Sequence, residues 1–149
     1  MIRWNKVGKG AAHWRTLLAG AAIGNIAIGA YFTSNGIKTA MADKEWGYWL
    51  GAGCLVVYVF MNVFSAVNGF FFDKLAVHFF LMAIHGFDVL FLGFVFSLME
   101  GDYFKDPSGY TLPQRILFHL LLPVLALNLG SVFVLFWKFV RTKETRASP

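Results

Sequence analysis

The chain has 149 residues, of which 58% are hydrophobic, 18% are aromatic and only 14% are charged. This composition excludes a disordered chain, which has few apolar residues and many charges. It also argues against a soluble domain, in which about half of the residues are apolar and about a quarter are charged. The sequence therefore predicts an integral membrane protein.

Four apolar stretches are each long enough to cross the hydrocarbon core of a bilayer, which takes about 20 helical residues. Because these stretches are continuously apolar and do not alternate in polarity, they favour helices over the strands of a membrane β-barrel. We therefore predict an all-α fold, a single membrane domain built as an antiparallel four-helix transmembrane bundle. The predicted spans lie at about residues 14–33, 48–72, 76–99 and 116–140.

The first span is predicted to be a retained helix with basic flanks, since it lacks the compact leucine-rich core of a signal peptide. Its Gly20 and Gly24 form a GxxxG pattern, which permits close contact between helices in lipid. Asn25 lies about 100° around the helix from Gly24, so we expect close packing and polar contact on different faces of this helix.

The connections between the spans are short, which favours neighbouring helices that run in opposite directions. The tightest connection, at residues 72–74, predicts a hairpin of the second and third helices. In the longest loop, Asp106-Pro107-Ser108-Gly109 has the composition of a type I turn. Thr111-Leu112-Pro113-Gln114 is a capping box with proline in the first turn, which predicts the start of the fourth helix.

The fourth span carries a histidine, an asparagine and a proline within its apolar stretch, namely His119, Asn128 and Pro123. His119 and Asn128 are nine residues apart, which places them on opposite faces of a straight helix. Pro123 is expected to bend the helix and to free the carbonyl group of His119 from its helical hydrogen bond. Two interpretations stay open: a local rearrangement of the packing, or a face of this helix that contacts another protein.

Every span carries polar side chains near the middle of the bilayer, when depth is taken from a rise of about 1.5 Å per helical residue. Such side chains are expensive in lipid and are functional candidates by default. We predict that they form one intramembrane polar cluster. Its members are Asn25, Asn62, Ser65, His85, Asp88 and Asn128.

His85 and Asp88 are the pair of most chemical interest in this cluster, because a spacing of three residues brings two side chains together on a helix. One interpretation is functional, as a proton relay or as a pair that orients a ligand. The other is structural, as a hydrogen-bonded pair that fixes the packing of the helices.

The spacing of the other intramembrane histidines, His78 and His119, disfavours a haem or metal site. His78 and His85 lie on one helix and cannot both bind one iron, and His119 lies about 10 Å from His85 in depth. The chain has one cysteine, Cys54, and lacks the P-loop, GxSxG, HExxH and CxxC motifs. We therefore expect no catalytic residues, no metal and no haem, with lipids as the bound molecules.

The net charge of +5 comes from basic residues that cluster near the chain ends. Under the positive-inside rule, this asymmetry predicts that both termini face the cytoplasm or the matrix. It also favours anionic lipid head groups over nucleic acid as partners. The basic residues on the terminal side are Arg3, Lys6, Lys9, Arg15, Lys74, Lys138, Arg141, Lys143 and Arg146, and those on the other side are Lys38, Lys44, Lys105 and Arg115.

The leading hypothesis is a non-catalytic accessory subunit of a larger membrane complex, such as an energy-converting one, with other membrane subunits as partners. It follows from the small soluble portion and from polar or small residues on more than one face of the first and fourth helices. The alternatives are a small proton-linked transporter or quinone-binding redox module that uses His85 and Asp88, and a membrane organiser of the MARVEL type. The mitochondrial inner membrane and the bacterial plasma membrane are the favoured locations.

Overall fold

The computed structural model describes the backbone of residues 9–71 and 75–147 and the side chains of residues 14–68 and 76–141. Over this part of the chain, all regular secondary structure is helical. The predicted tight turn at residues 72–74 lies outside the described residues. The helices are α1 (Lys9–Asp43), α2 (Trp46–Phe71), α3 (Leu75–Lys105) and α4 (Leu112–Ala147), with a short 3-10 helix at Pro107–Gly109.

Each of the four long helices is long and apolar enough to cross a membrane, so the prediction of an all-helical fold with four helices of membrane-spanning length is confirmed. The helices are longer than the predicted spans. For example, α1 continues from the predicted end at residue 33 to Asp43. The difference arises because an apolar stretch marks the hydrocarbon boundary, whereas a helix continues as long as its backbone hydrogen bonds do.

α1 ends at a left-handed residue, Lys44, whose φ is 56°. The backbone N–H of Lys44 donates to the carbonyl of Ala40 at 3.0 Å, which is the hydrogen bond of a left-handed helix end. Such a residue is usually glycine, because a side chain makes the left-handed conformation costly. The turn leaves only two residues, Lys44 and Glu45, before α2 begins at Trp46.

The helix contacts are unequal. α1 makes the most extensive contact with α2 and a further contact with α4, which in turn packs against α3. α2 and α3 follow each other in the chain, yet within the described residues they touch each other little. The packing is therefore open between α2 and α3.

Two clusters of buried apolar side chains fill the space between the helices, and both come from α1, α3 and α4. The smaller cluster consists of Trp14, Leu18, Leu81 and Leu135. The larger cluster consists of Ile28, Leu92, Val95, Tyr103, Leu117, Phe118, Leu121 and Val124. Among the described residues, the buried side chains of α2 are instead Ala52, Tyr58, Asn62 and Ser65. Small and polar side chains therefore hold α2 in place.

Two glycines of α1 allow a close approach of the neighbouring helices. A Cβ atom at Gly24 would lie 2.5 Å from Cγ2 of Val124 on α4. A Cβ atom at Gly29 would lie 2.8 Å from Cδ1 of Tyr58 on α2. Both distances are well below carbon–carbon contact, so a larger residue does not fit without movement. At Gly20, by contrast, the nearest atom would be at an ordinary 3.7 Å.

The loop between α3 and α4 has the two local structures that its sequence predicts. Asp106 caps the 3-10 turn, because its carboxylate accepts hydrogen bonds from the backbone N–H groups of Ser108 at 3.0 Å and Gly109 at 3.2 Å. The side-chain oxygen of Gln114 accepts a hydrogen bond from the backbone N–H of Thr111 at 2.8 Å. This is the returning bond of a capping box, and it fixes the start of α4.

Candidate functional site

Six buried polar side chains, contributed by all four helices, form one hydrogen-bonded cluster. Each of them is at most 1% exposed. We call this cluster the polar layer, and it consists of Asn25, Asn62, Ser65, His85, Asp88 and Asn128. The structure thus brings together the six residues whose depths the sequence placed close to one another.

Asn25 of α1 reaches the other three helices through one amide nitrogen. Its Nδ2 atom lies 2.8 Å from Oδ1 of Asn62, 2.8 Å from Oδ2 of Asp88 and 3.0 Å from Oδ1 of Asn128. Because an amide nitrogen has two hydrogens, it donates to two of these three oxygens at a time. Asn25 therefore connects α1 to α2, α3 and α4 at a single depth.

The amide group of Asn128 has one orientation that satisfies its neighbours. Its Nδ2 atom donates to the backbone carbonyl of Val124 at 2.9 Å and to Oδ1 of Asn25 at 2.9 Å. Because both of these atoms are acceptors, the amide oxygen of Asn128 is the atom that faces Nδ1 of His85, 2.7 Å away. An amide oxygen only accepts, so His85 donates from Nδ1.

The tautomer of neutral His85 follows from this contact. With the hydrogen on Nδ1, the imidazole presents Nε2 as an acceptor. The hydroxyl oxygen of Ser65 lies 3.0 Å from Nε2, so Ser65 donates its hydrogen to His85. Through His85, a second series of hydrogen bonds connects α2, α3 and α4.

The carboxylate of Asp88 is surrounded by nitrogen donors. Its Oδ1 atom accepts from Nδ2 of Asn62 at 3.2 Å, and its Oδ2 atom accepts from Nδ2 of Asn25 at 2.8 Å. Nδ1 of His85 lies 3.6 Å from Oδ2, which is within ion-pair distance but longer than a hydrogen bond. Asn62 is itself oriented, because its Nδ2 atom also donates to the carbonyl of Tyr58 at 3.2 Å. These neighbours suit a group that only accepts.

The other predicted residues of α3 and α4 lie outside the polar layer. His78 is buried near the start of α3, and its ring meets the ring of Trp14 edge-on, with centroids 5.7 Å apart. His119 is exposed and shares a hydrogen bond with the hydroxyl group of Tyr103 at 3.1 Å. Pro123 is exposed, and α4 continues through it. The two faces of α4 therefore differ, with His119 on the outer one.

Two buried polar residues next to the polar layer are absent from the sequence prediction. Tyr58 is 4% exposed, and its hydroxyl group has no hydrogen-bond partner among the described residues. Ser131 is fully buried and donates to the carbonyl of Leu127 at 2.7 Å. Their spacing along the helices could have indicated both residues. Tyr58 is four residues before Asn62 and Ser131 is three residues after Asn128, so each shares a helix face with a residue of the polar layer.

Comparison with protein families, with curated proteins and with solved structures gives no match for this chain. What the polar layer can do follows from its own chemistry. None of its side-chain nitrogen and oxygen atoms is without a hydrogen-bond partner. Over the part of the chain that the structure describes, no group of three or more His, Cys, Asp or Glu side chains lies close enough to hold a metal ion. The layer is thus equipped to join the helices and to keep the hydrogen of neutral His85 on Nδ1.

Proposed function

We propose that this protein is a non-catalytic subunit of a larger membrane-protein assembly, and that a transmembrane helix of a partner protein lies between α2 and α3. The observation that carries the proposal is an open surface there, which we call the α2–α3 seam. It consists of two adjoining grooves of about 720 and 580 Å³ that share Val57 and Met61. The seam extends from Trp49 to Asn68 on α2, and its α3 side is lined by Phe80, Ile84, Phe87 and Phe91.

The dimensions and chemistry of the α2–α3 seam support a helix as its occupant. At a rise of about 1.5 Å per residue, the distance from Trp49 to Asn68 is about 28 Å, close to the thickness of the hydrocarbon core. None of the described residues that line the seam is charged, so these residues offer no ionic contact to a lipid head group. At Gly53 in the lining, an added Cβ atom would meet nothing within 4 Å, and small residues of this kind allow close helix contact.

The completeness of the polar layer supports a structural role over a catalytic one. Its side chains satisfy one another, and none of them lines the α2–α3 seam. A catalytic or transport site needs groups that reach a substrate, and such groups are usually found in a cavity. The exposed apolar surface of α2 and α3 is therefore the more promising place for function.

We infer further that the four helices form an antiparallel bundle, with both termini on the cytoplasmic or matrix side. Close pairs between α1 and α4 support opposite directions, because Gly24 lies against Val124 and Leu17 lies against Gly130. The exposed Arg141 lies at the α4 end near the C-terminus, as the positive-inside rule requires for this orientation. The side chains of Arg3, Lys6, Lys9, Lys74, Lys143 and Arg146, which enter the same rule, lie outside the described residues.

The test is site-specific photo-crosslinking in native membranes, followed by native mass spectrometry of the detergent-extracted protein. A photoreactive residue at Val57 lies in the seam, and one at Leu129 on α4 is the control with similar exposure, 57% against 53%. We expect Val57 to crosslink to one membrane protein that is also present in the intact assembly, and Leu129 to crosslink to lipid. A stable monomer without other subunits, with the same products from both positions, would contradict the proposal.

A second candidate function is a small proton-linked transporter or redox module. The observation that favours it is the pair of Asp88 and His85, with Oδ2 and Nδ1 3.6 Å apart in the middle of the spans. If this candidate is correct, Asp88→Asn and His85→Ala abolish proton movement in proteoliposomes with a pH-sensitive dye, while the variants remain folded with unchanged helix content. If the two variants only lose stability, the pair is structural.

A further inference from the structure

A separate groove of about 530 Å³ lies between the C-terminal half of α1 and the middle of α2. Its lining changes in character along its length. Thr33, Ser34 and Lys38 form the polar part on α1. Val56, Val59 and Phe60 form an apolar wall on α2. We call it the α1–α2 groove, and an amphipathic molecule matches this division.

The depth of each part of the groove can be placed relative to Asn25 and Asn62 of the polar layer. Lys38 is thirteen residues beyond Asn25, which is about 20 Å along the helix. Thr33 is eight residues beyond Asn25, or about 12 Å. If the layer marks the midplane, the hydrocarbon core ends at about 15 Å. Thr33 then lies just inside this boundary, Lys38 lies among the head groups, and Phe60 is close to the midplane.

The polar part of the groove offers one positive charge and two hydroxyl groups. Lys38 and Ser34 are exposed. The Oγ1 atom of Thr33 is buried and has no hydrogen-bond partner among the described residues. A threonine inside a helix ordinarily donates to the carbonyl four residues earlier. Thr33 does not make this bond, so its hydroxyl can donate to a bound molecule once the side chain turns toward the groove. A buried hydroxyl without a partner is unfavourable, and a ligand that bonds to it would remove this cost.

We propose that the α1–α2 groove is a specific binding site for one anionic phospholipid. The phosphate group contacts the ammonium group of Lys38 and accepts hydrogen bonds from Ser34 and Thr33, while an acyl chain lies along Val59 and Phe60. Charge complementarity selects an anionic head group, and the apolar wall selects a lipid over free phosphate. The sequence alone predicts contacts with anionic lipid at the basic chain termini. The proposed site is different, because it lies at the opposite end of α1.

The test uses the full chain in mild detergent, titrated with dioleoyl phosphatidylglycerol or dioleoyl phosphatidylcholine and followed by native mass spectrometry. We expect one phosphatidylglycerol to be retained in preference to phosphatidylcholine. Lys38→Gln is expected to weaken phosphatidylglycerol binding about fivefold, the effect of one lysine at a membrane surface. The matched control is Lys105→Gln, which removes an exposed lysine at the end of α3 that does not line the groove. It is expected to leave binding unchanged.

A second variant tests the apolar part of the groove while keeping its charge. Ala30 is exposed and lines the groove, so Ala30→Phe fills the space of the acyl chain. We expect this variant to lose phosphatidylglycerol while its thermal unfolding stays that of the wild type. Equal retention of the two lipids overturns the proposal. Equal losses of phosphatidylglycerol in Lys38→Gln and Lys105→Gln also overturn it, and so does full retention of this lipid in Ala30→Phe. Either result from the variants would show that surface charge alone attracts the lipid.

Discussion

The amide nitrogen of Asn25 lies 2.8 Å from Oδ2 of Asp88, although the two residues are 63 positions apart in the chain. The same nitrogen is within hydrogen-bond distance of Asn62 and Asn128. One side chain of α1 is therefore bonded to each of the other three helices. In lipid, where apolar side chains gain little from leaving one apolar environment for another, such interhelical hydrogen bonds are among the few directional forces between helices.

Asn25→Ala is expected to lower the free energy of unfolding by about 2–4 kcal/mol. The reason is that Asp88 and Asn128 each lose a hydrogen bond inside a buried layer, while no water can replace the amide. Unfolding in mixed micelles of a mild detergent and dodecyl sulfate measures this change. The control is Asn68→Ala, because among the described residues Asn68 donates to the carbonyl of Phe64 in its own helix and to no other helix. A loss as large in Asn68→Ala as in Asn25→Ala would show that Asn25 does not join the helices.

Asp88→Asn is expected to destabilise the protein by about 1–3 kcal/mol, although the two side chains have the same shape. The Asp88 oxygens face the donor nitrogens of Asn62 and Asn25. Whichever way an asparagine is turned, its NH₂ group meets one of these donors. The exposed Asp102 supplies the control variant Asp102→Asn, which should be neutral. Unchanged stability of Asp88→Asn together with loss of proton movement would instead favour the transporter candidate.

His85 is expected to carry its hydrogen on Nδ1 when it is neutral. The amide oxygen of Asn128 lies 2.7 Å from Nδ1 and requires a donor there. Nitrogen-15 NMR of selectively labelled histidine distinguishes the two ring nitrogens and so measures the tautomer. Ser65→Ala removes the donor to Nε2, and we expect it to shift the Nε2 resonance more than the Nδ1 resonance. A hydrogen on Nε2 in the wild-type protein would mean that the Asn128 amide is turned the other way.

The depth of each residue in the membrane was the property that could best be predicted from the sequence. Apolar stretches mark the hydrocarbon core, and a constant rise per residue turns position in a span into depth. That arithmetic is enough to group Asn25, Asp88 and Asn128, which the structure joins by hydrogen bonds. The start of α4 could also be predicted from the sequence, because the hydrogen bond from Thr111 to Gln114 joins residues only three apart in the chain.

Direction around each helix was much harder to predict. Apolar residues occur on all sides of α2 and α3, so the pattern of hydropathy does not show which face meets a neighbour. The α2–α3 seam was for this reason not predicted, and neither was the contact of Tyr58 with Gly29. Depth likewise could not show which amide donates to which oxygen, because that depends on the rotation of all four helices together.

Gly24→Ala is expected to destabilise the protein by about 1–3 kcal/mol, because the added methyl group overlaps Val124. Gly20→Ala is the matched control on the same helix, since its Cβ atom would make only an ordinary contact at 3.7 Å. It should be neutral, or stabilising by up to about 1 kcal/mol. In the double variant with Val124→Ala, the overlap is relieved, so the Gly24→Ala substitution should cost less than it does alone. Equal effects of the two glycine substitutions would contradict this contact.

The carboxyl group of Asp106, in the loop between α3 and α4, is expected to titrate below its ordinary range. The hydrogen bond from the hydroxyl group of Ser108 lowers the pKa of Asp106 most, and the bond from the N–H of Gly109 lowers it further. Because the folded pKa is depressed, the ionised carboxylate stabilises the turn above the ordinary pKa. This contribution is lost as the pH falls through the folded value. Carbon-13 NMR of the labelled carboxyl group follows this titration directly.

Ser108→Ala separates the contribution of the hydroxyl group from that of the backbone. It removes the hydroxyl hydrogen bond that lowers the pKa of Asp106 most but keeps the backbone donors of Ser108 and Gly109. The pKa of Asp106 should therefore rise toward its ordinary value without reaching it. Asp106→Asn removes the titrating group but keeps an oxygen that can cap the turn, so the loop should lose its pH dependence below the ordinary pKa of an aspartate. An unshifted pKa in the wild-type protein would show that Asp106 does not cap the turn in solution.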